Sequence, residues 1–253
     1  MFSIYTSAFN LIENNFNYIE TIENFCSFAE EVIIAVNTSK DETYKNIKNL
    51  KFNNLKIIQT DFSYEDPMLD GKIKNAALQQ TSEEFKIGLD MDEYIPLWQK
   101  NIWKELVYKF RFEIYESIMI PSLNLFRDKN HYFSISRKWY LHKGNLSRGA
   151  VNFAIKKDGT IDTNRSDTCE LINSDGELTK SKVISNNIED LRTENYPFVV
   201  HTGYVDLQNR LLRNKNFWQK HWLIESGGIS PNHKIHNKIE DFNEKYERHN
   251  LRI

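Results

Sequence analysis

The chain has 253 residues, a formal net charge of −2 and a pI near 6.4, so it is long enough to bury a full core, and its interleaved acidic and basic residues exclude a nucleic acid as the main partner. Two cysteines, Cys26 and Cys169, exclude a disulfide framework and a Cys-based zinc cluster. No apolar run reaches the length of a membrane span, and the opening Met-Phe-Ser-Ile-Tyr-Thr-Ser has no basic region followed by a long apolar one, so a cytoplasmic protein without a transmembrane segment is expected.

The first elements alternate. Phe2–Tyr5 reads as a short strand, and Phe16, Ile19, Ile22, Cys26 and Phe28 fall at roughly helical spacing. The run Val32–Val36 is nearly all β-branched and predicts a buried strand. Asp41 is placed to cap a helix carrying Tyr44, Ile47 and Leu50, and Leu55–Ile58 is the next strand. Asp70 is placed to cap a helix with Ile73, Ala76, Ala77 and Leu78 on one face, and Phe85–Leu89 is a further strand. Continuously apolar strands separated by helices predict a mainly parallel sheet covered on both faces, which binds ligands at the carboxyl edge of its strands.

At that edge stands Asp90-Met-Asp92. A strand ending in two carboxylates sends alternate side chains to the same side, so Asp90 and Asp92 can both face a ligand beyond the carboxyl edge of the sheet. Hard oxygen donors suit Mg²⁺ or Mn²⁺ shared with a phosphate. The bland alternative is a strand end running into a solvated turn, which Glu93 fits equally well.

Four segments in order, Ser3-Ile-Tyr-Thr-Ser-Ala8, Val32-Ile-Ile-Ala-Val-Asn-Thr-Ser-Lys-Asp-Glu-Thr43, Lys74-Asn-Ala-Ala-Leu78 and Leu89-Asp-Met-Asp-Glu-Tyr-Ile95, resemble the nucleotide-sugar-binding half of GT-A glycosyltransferases, above all family 2. The resemblance covers about residues 2 to 96 and implies a single GT-A-type domain over 1–253, its donor half at 1–96 and its acceptor-side half at 97–253. It also implies a nucleotide diphosphate sugar donor and a Mn²⁺ or Mg²⁺ cofactor. Thr6, Ala8 and Asn37 lie where base and ribose would sit; Asn37 replaces the usual Asp, and its amide offers a donor and an acceptor. Asp41 and Thr43 read as capping residues. Lys74 opens a helix near the same edge, solvated or meeting a phosphate, and Asp90 stands beside the donor and the metal.

The second half reads as α+β. Trp98, Ile102, Trp103, Leu106, Val107 and Phe110 have helical spacing and predict a core helix. Ile114–Ile120 and Tyr132–Tyr140 read as antiparallel strands joined through residues 121–130, and Asn152–Ile155 with the turn Lys157–Thr160 suggests a hairpin. Residues 164–195 are polar and read as a surface loop or a lid. Within them, Asp167 and Glu170 are the candidates for a general base that takes the acceptor proton.

Pro197-Phe-Val-Val-His201-Thr-Gly203 ends an apolar strand on a histidine. In many GT-A enzymes a late His-x-Gly completes the metal shell, and basic residues after it approach the diphosphate. The resemblance therefore implies metal ligation by Asp92 and His201 with Asp90 nearby, and a diphosphate contact from the Arg210, Arg213, Lys215 and Lys220 stretch, for which Lys215 is selected. His221 reads as packing along that stretch, and His233, His236 and His249 as part of a charged tail. The expected activity is sugar transfer to an acceptor hydroxyl, of a glycan or another molecule. A non-catalytic nucleotide-sugar- or glycan-binding module, or a nucleotidyltransferase of similar fold, remains open.

Overall fold

The computed structural model describes residues 2–66, 69–144, 147–148, 154–155, 161–162, 171–172, 179–184, 187–193, 196–218, 239, 245–249 and 251–253. Strands β1 (Ser3–Ala8), β2 (Glu31–Asn37), β3 (Leu55–Thr60) and β4 (Phe85–Gly88) lie parallel in the order β3-β2-β1-β4, with helices α1 (Tyr18–Phe28), α2 (Thr43–Lys48) and α3 (Leu69–Leu78) between them. Strand β2 shows why the apolar run does not alternate with polar residues. Val32, Ile34 and Val36 join Ile22, Phe25 and Phe28 of α1 in one cluster, while Ile33 and Ala35 join Ile73 and Ala77 of α3 in another. Both faces are covered, as a parallel sheet requires.

A two-residue strand β5 (Glu93–Tyr94) and a 3-10 turn (Leu97–Gln99) lead into α4 (Lys100–Phe110). Trp103 on α4 is fully buried against Phe2 and Phe28, with ring centroids at 5.4 and 5.9 Å, so the helical aromatic pattern is core packing. Strands β6 (Ser117–Phe126) and β7 (Asp128–Lys143) form an antiparallel pair, and β7 joins the parallel half through β4. The Val199–His201 strand joins the same sheet, parallel to β6 and antiparallel to β5, and Ser181–Val183 also pairs with β6 and Glu247–Arg248 with β7. Helices α5 (Ile188–Thr193) and α6 (Leu207–Arg213) flank this strand in sequence. The result is a mixed α/β protein with a mainly parallel sheet flanked by helices and an antiparallel extension, the class expected from sequence.

Some local expectations are corrected. Residues 121–126 continue β6 and do not form a connection; the reversal is confined to Arg127, whose φ of 66° lies in the left-handed region. Pro121 sits at a register shift in the β6–β7 ladder, where a missing N–H is tolerated. Asp41 is not the cap of α2, whose N-cap is Glu42. Its Oδ1 accepts from the Thr43 N–H at 3.0 Å, and its Oδ2 from the N–H groups of Ile12 and Glu13 at 3.0 and 2.9 Å. Burial acts to raise the Asp41 pKa, but these donors outweigh it and hold the carboxyl below its ordinary value. Asp70 lies inside the first turn of α3 and also does other work. The hairpin expected around Ile155 is seen as the antiparallel pairing of Ala154–Ile155 with Ile161–Asp162; its turn at 157–160 lies outside the described residues.

Candidate functional site

Chain order across the sheet locates the site. From β1 the chain steps outward through β2 to β3 and then returns to place β4 on the other side of β1. The crevice at the carboxyl ends of β1 and β4 is the switch point at which open α/β sheets bind ligands. Ser7 near the end of β1, Asp70 and Lys74 on α3, and Asp90 just after β4 meet there. Lys74 is only 1 % exposed and pairs with Asp70, at 3.0 Å, and with Asp90; Ser7 Oγ donates to Asp70 Oδ1 at 2.7 Å. Lys74 is thus not a solvated surface residue. The spacing of four along α3 places Asp70 one turn before it, so one buried ammonium ties the helix to the strand end.

The Asp-x-Asp pair is not an extended strand end. Strand β4 stops at Gly88, and Asp90–Glu93 is a turn in which the Glu93 N–H donates to the Asp90 carbonyl at 3.1 Å and the Asp90 N–H donates to Glu93 Oε2 at 2.9 Å. Glu93, fully buried, holds this turn and is not a solvated acid. The period-two argument therefore does not apply. Asp90 pairs with Lys74, while Asp92 meets a different set of residues.

That set comes with the Val199–His201 strand. Pairing of His201 with Glu93 on β5 and with Asn124 on β6 brings the histidine beside Asp92. The Thr202 N–H and Oγ1 both donate to the Asp92 carbonyl at 2.8 Å, fastening the two segments. His201 Nε2 stands 3.5 Å from Asp92 Oδ2, and its Nδ1 lies 2.9 Å from Asn124 Oδ1. Asn124 Nδ2 donates to the Ser122 and Ser134 carbonyls and to Ser134 Oγ, which orients the amide so that its oxygen faces the ring. The imidazole proton therefore belongs on Nδ1, and in the neutral ring Nε2 turns a lone pair toward a carboxylate. Two acceptors so placed call for a cation or a proton between them.

Gly203 keeps the adjoining space clear. A Cβ there would lie 2.6 Å from His201 Nε2 and 2.8 Å from Asp92 Oδ2. The donor set, one carboxylate and one imidazole beside a side-chain-free space, fits Mn²⁺ or Mg²⁺ whose other positions go to water and ligand oxygens. Among the described residues no three His, Cys, Asp or Glu groups converge on a metal position. We expect Gly203→Ala to weaken Mn²⁺ binding about tenfold or more while the circular dichroism spectrum stays native, because the methyl displaces both donors. Unchanged Mn²⁺ affinity by calorimetry would show that the space has no such role.

Arg213, at the end of α6, completes the cluster. Its Nη1 donates to Asp92 Oδ2 at 2.8 Å, and its guanidinium lies 3.9 Å from the centroid of the Phe16 ring. Burial would raise the Asp92 pKa, but His201 in its protonated form, together with Arg213 and Arg210, outweighs it and holds the carboxyl well below the usual carboxylate range. Asp92 is therefore an anion at neutral pH, as a ligand must be. Arg210 stacks on Tyr204 at 4.5 Å, and the Tyr204 ring meets His201 edge-on at 5.7 Å.

The remaining predicted residues fall elsewhere. Thr6, Ala8 and Asn37 come to the carboxyl end of the sheet but are buried. Asn37 Oδ1 accepts from the Phe62 N–H at 2.8 Å and from Thr60 Oγ1 at 3.0 Å, and its Nδ2 donates to the Phe62 carbonyl at 3.0 Å, so the amide pins the loop after β3. Lys215 is exposed, two residues past the arginine that reaches Asp92. Asp167 and Glu170 lie outside the described residues, as do Lys220, His221, His233 and His236. Sequence reasoning missed Asn124, whose role comes only from strand register. It also passed over Arg213 for Lys215, although Asp206 caps α6 through the N–H groups of Gln208 and Asn209 and thereby sets Arg210 and Arg213 three apart on a helix.

No family model and no curated protein matches the chain. Among solved structures it is similar to residues 1–349 of TarS from S. aureus, at 15 % identity over 87 % of this chain and 64 % of that one, with a TM-score of 0.47. It is also similar to the mannosyltransferase PcManGT from Pyrobaculum calidifontis in complex with GDP-Man and Mn²⁺, at 12 % identity over 87 % and 62 %, with a TM-score of 0.49. Glucosyl-3-phosphoglycerate synthase from Mycobacterium tuberculosis, in complex with Mn²⁺, UDP and glucosyl-3-phosphoglycerate, matches 49 % of the chain at 16 % identity, with a TM-score of 0.31. The chain spans less than two thirds of the length of each of these structures. Likeness this distant assigns no activity, and the functional reading rests on the convergence of Asp92, His201 and Arg213 at the carboxyl edge of the sheet.

Proposed function

We propose that the chain is a metal-dependent GT-A-type glycosyltransferase that moves a sugar from a nucleotide diphosphate sugar to an acceptor hydroxyl, of a glycan or a similar molecule. The observation that carries this reading is the pair of electron donors, Asp92 Oδ2 and His201 Nε2, 3.5 Å apart beside the space Gly203 leaves open. Asp92 and His201 would hold Mn²⁺ or Mg²⁺, and the bound cation offsets the negative charge that grows on the leaving diphosphate. Asn124 keeps the imidazole in the tautomer that offers Nε2. Lys74 anchors Asp90 at the mouth of the crevice, where the donor's sugar end would lie. Arg213 and Arg210 add positive charge on the side from which the diphosphate departs.

Departure of the diphosphate leaves an oxocarbenium-like centre that the acceptor oxygen attacks. In an inverting enzyme an acid residue takes the acceptor proton, and Asp167 or Glu170 is proposed for that role. Asp167→Asn or Glu170→Gln, one and not both, is expected to lower kcat by about 10²–10⁴-fold with donor affinity nearly unchanged. Full transfer rates in both variants would remove this segment from the mechanism. A cytoplasmic site of action belongs to the same proposal; among the described residues no helix is long and apolar enough to cross a membrane.

The test has two stages. A thermal-shift panel of nucleoside diphosphates and their sugars, with and without Mn²⁺, identifies the base, since a ligand that binds only the native state raises its melting temperature. The donor so found is then incubated with Mn²⁺ and candidate acceptors. Release of nucleoside diphosphate with sugar transfer or hydrolysis supports the proposal. Tight binding without release points to a binding module, and pyrophosphate formation from a nucleoside triphosphate and a sugar phosphate points to a nucleotidyltransferase. Asn37 lends no support to the binding-module reading, because its amide is explained by the contacts with Thr60 and Phe62.

A further inference from the structure

The guanidinium of Arg213 and the imidazole of His201 address the same carboxylate oxygen. Arg213 Nη1 donates to Asp92 Oδ2 at 2.8 Å, and His201 Nε2 stands 3.5 Å from that atom. Arg213 is buried, and among the described residues its hydrogen-bond partner apart from Asp92 is the Asn14 carbonyl at a long 3.4 Å from Nε, with the Phe16 ring beneath it. Directly after it the chain widens into a π-helical turn at Asn214–Trp218, a local departure from α-helical bonding that recurs at functional sites. Two guanidinium groups act on Asp92, Arg213 directly and Arg210 from its place on Tyr204 next to His201, and Asp206 is a further acid that acts on Arg213. A divalent cation arriving alone at Asp92 would add positive charge beside both guanidinium groups. A nucleoside diphosphate, carrying two to three negative charges, would cancel it.

We infer that Arg213 is an internal counter-ion that neutralises Asp92 until the cation binds and is then released to the diphosphate, so that cation and nucleotide bind cooperatively. This rests on the reading of the site as a metal–diphosphate centre. It deepens that reading by assigning the coupling to one side chain. By linkage, the factor by which the nucleotide strengthens cation binding equals the factor by which the cation strengthens nucleotide binding. Arg213 sets that factor in two ways. It weakens the cation's affinity by competing for Asp92, and it strengthens the nucleotide's affinity once freed.

The experiment compares the wild type with Arg213→Met and Arg213→Gln. The affinity for Mn²⁺ alone is measured by electron paramagnetic resonance of the free ion, then again with the nucleoside diphosphate that raises the wild-type melting temperature most among UDP, GDP, ADP, CDP and TDP. In the wild type the nucleotide is expected to tighten Mn²⁺ by roughly 5–150-fold. In both variants Mn²⁺ alone should bind about tenfold more tightly than in the wild type, and the coupling should shrink to about threefold or less. Removing the guanidinium leaves a buried carboxylate unpaired, so both variants should melt lower, and Mn²⁺ alone should restore more melting temperature than it adds to the wild type. That differential rescue also reads out a variant that is largely unfolded without metal.

Mn²⁺ affinity and coupling unchanged in the variants, or no extra rescue by Mn²⁺, would overturn the inference while leaving the metal–nucleotide site in place. A wild type that binds none of the five nucleotides in the presence of Mn²⁺ would overturn both.

Discussion

Asp92→Asn is expected to abolish the dependence of nucleotide binding on a divalent cation and to reduce sugar transfer by about 10²–10³-fold or more. The substitution keeps the shape of the side chain and an oxygen for Arg213, but removes the charge that makes the Oδ2 position a ligand for a hard cation. Affinities in Mn²⁺ and in EDTA should then become equal, at the value the wild type shows in EDTA. The same change leaves the buried Arg213 guanidinium facing a neutral amide, so a loss of about 1–3 kcal/mol in stability is expected alongside. Asparagine is preferable to alanine here because alanine would leave that guanidinium with no partner on its Asp92 side. A variant that folds and retains a wild-type ratio of affinities in Mn²⁺ and EDTA would remove Asp92 from the metal site.

Lys74→Met is expected to cost about 3–5 kcal/mol, the scale of breaking a buried pair. Methionine has nearly the same length and packs in the same channel, so the loss isolates the charge. Without the ammonium, Asp70 and Asp90, with side chains 18 % and 26 % exposed, face one another across the crevice between α3 and the end of β4. Urea denaturation at neutral pH should show the deficit directly. A deficit below about 1 kcal/mol would mean that water reaches and screens the two acids, as at exposed ion pairs.

Where residue pattern determines structure locally, the sequence was readable. The β-branched run at Val32–Val36, the helical spacing from Ile22 to Phe28 and the buried Phe85 strand all follow from how much apolar surface each must hide, and they led to the parallel half of the sheet and its carboxyl edge. The strand before Asp92 and the strand that ends at His201 marked these two residues, and the fold brings them side by side. What sequence could not show was register and turn geometry. Asn124 reaches His201 only because β6 and the Val199–His201 strand pair with those residues opposite, a relation across 77 positions. Asp90 and Asp92 look equivalent in the sequence, yet the turn closed by Glu93 gives one to Lys74 and the other to Arg213 and His201. Asn37 was read as a base contact because it stands at a strand end; its amide is engaged by the following loop, which only the fold brings within reach.

The central claim is that Asp92 and His201 form one half of a metal–diphosphate site. Its most direct test is titration calorimetry of the wild-type protein with the nucleoside diphosphate identified by thermal shift, once in Mn²⁺ and once in EDTA. The account predicts binding at least about tenfold tighter in Mn²⁺. Equal affinity under the two conditions would contradict it.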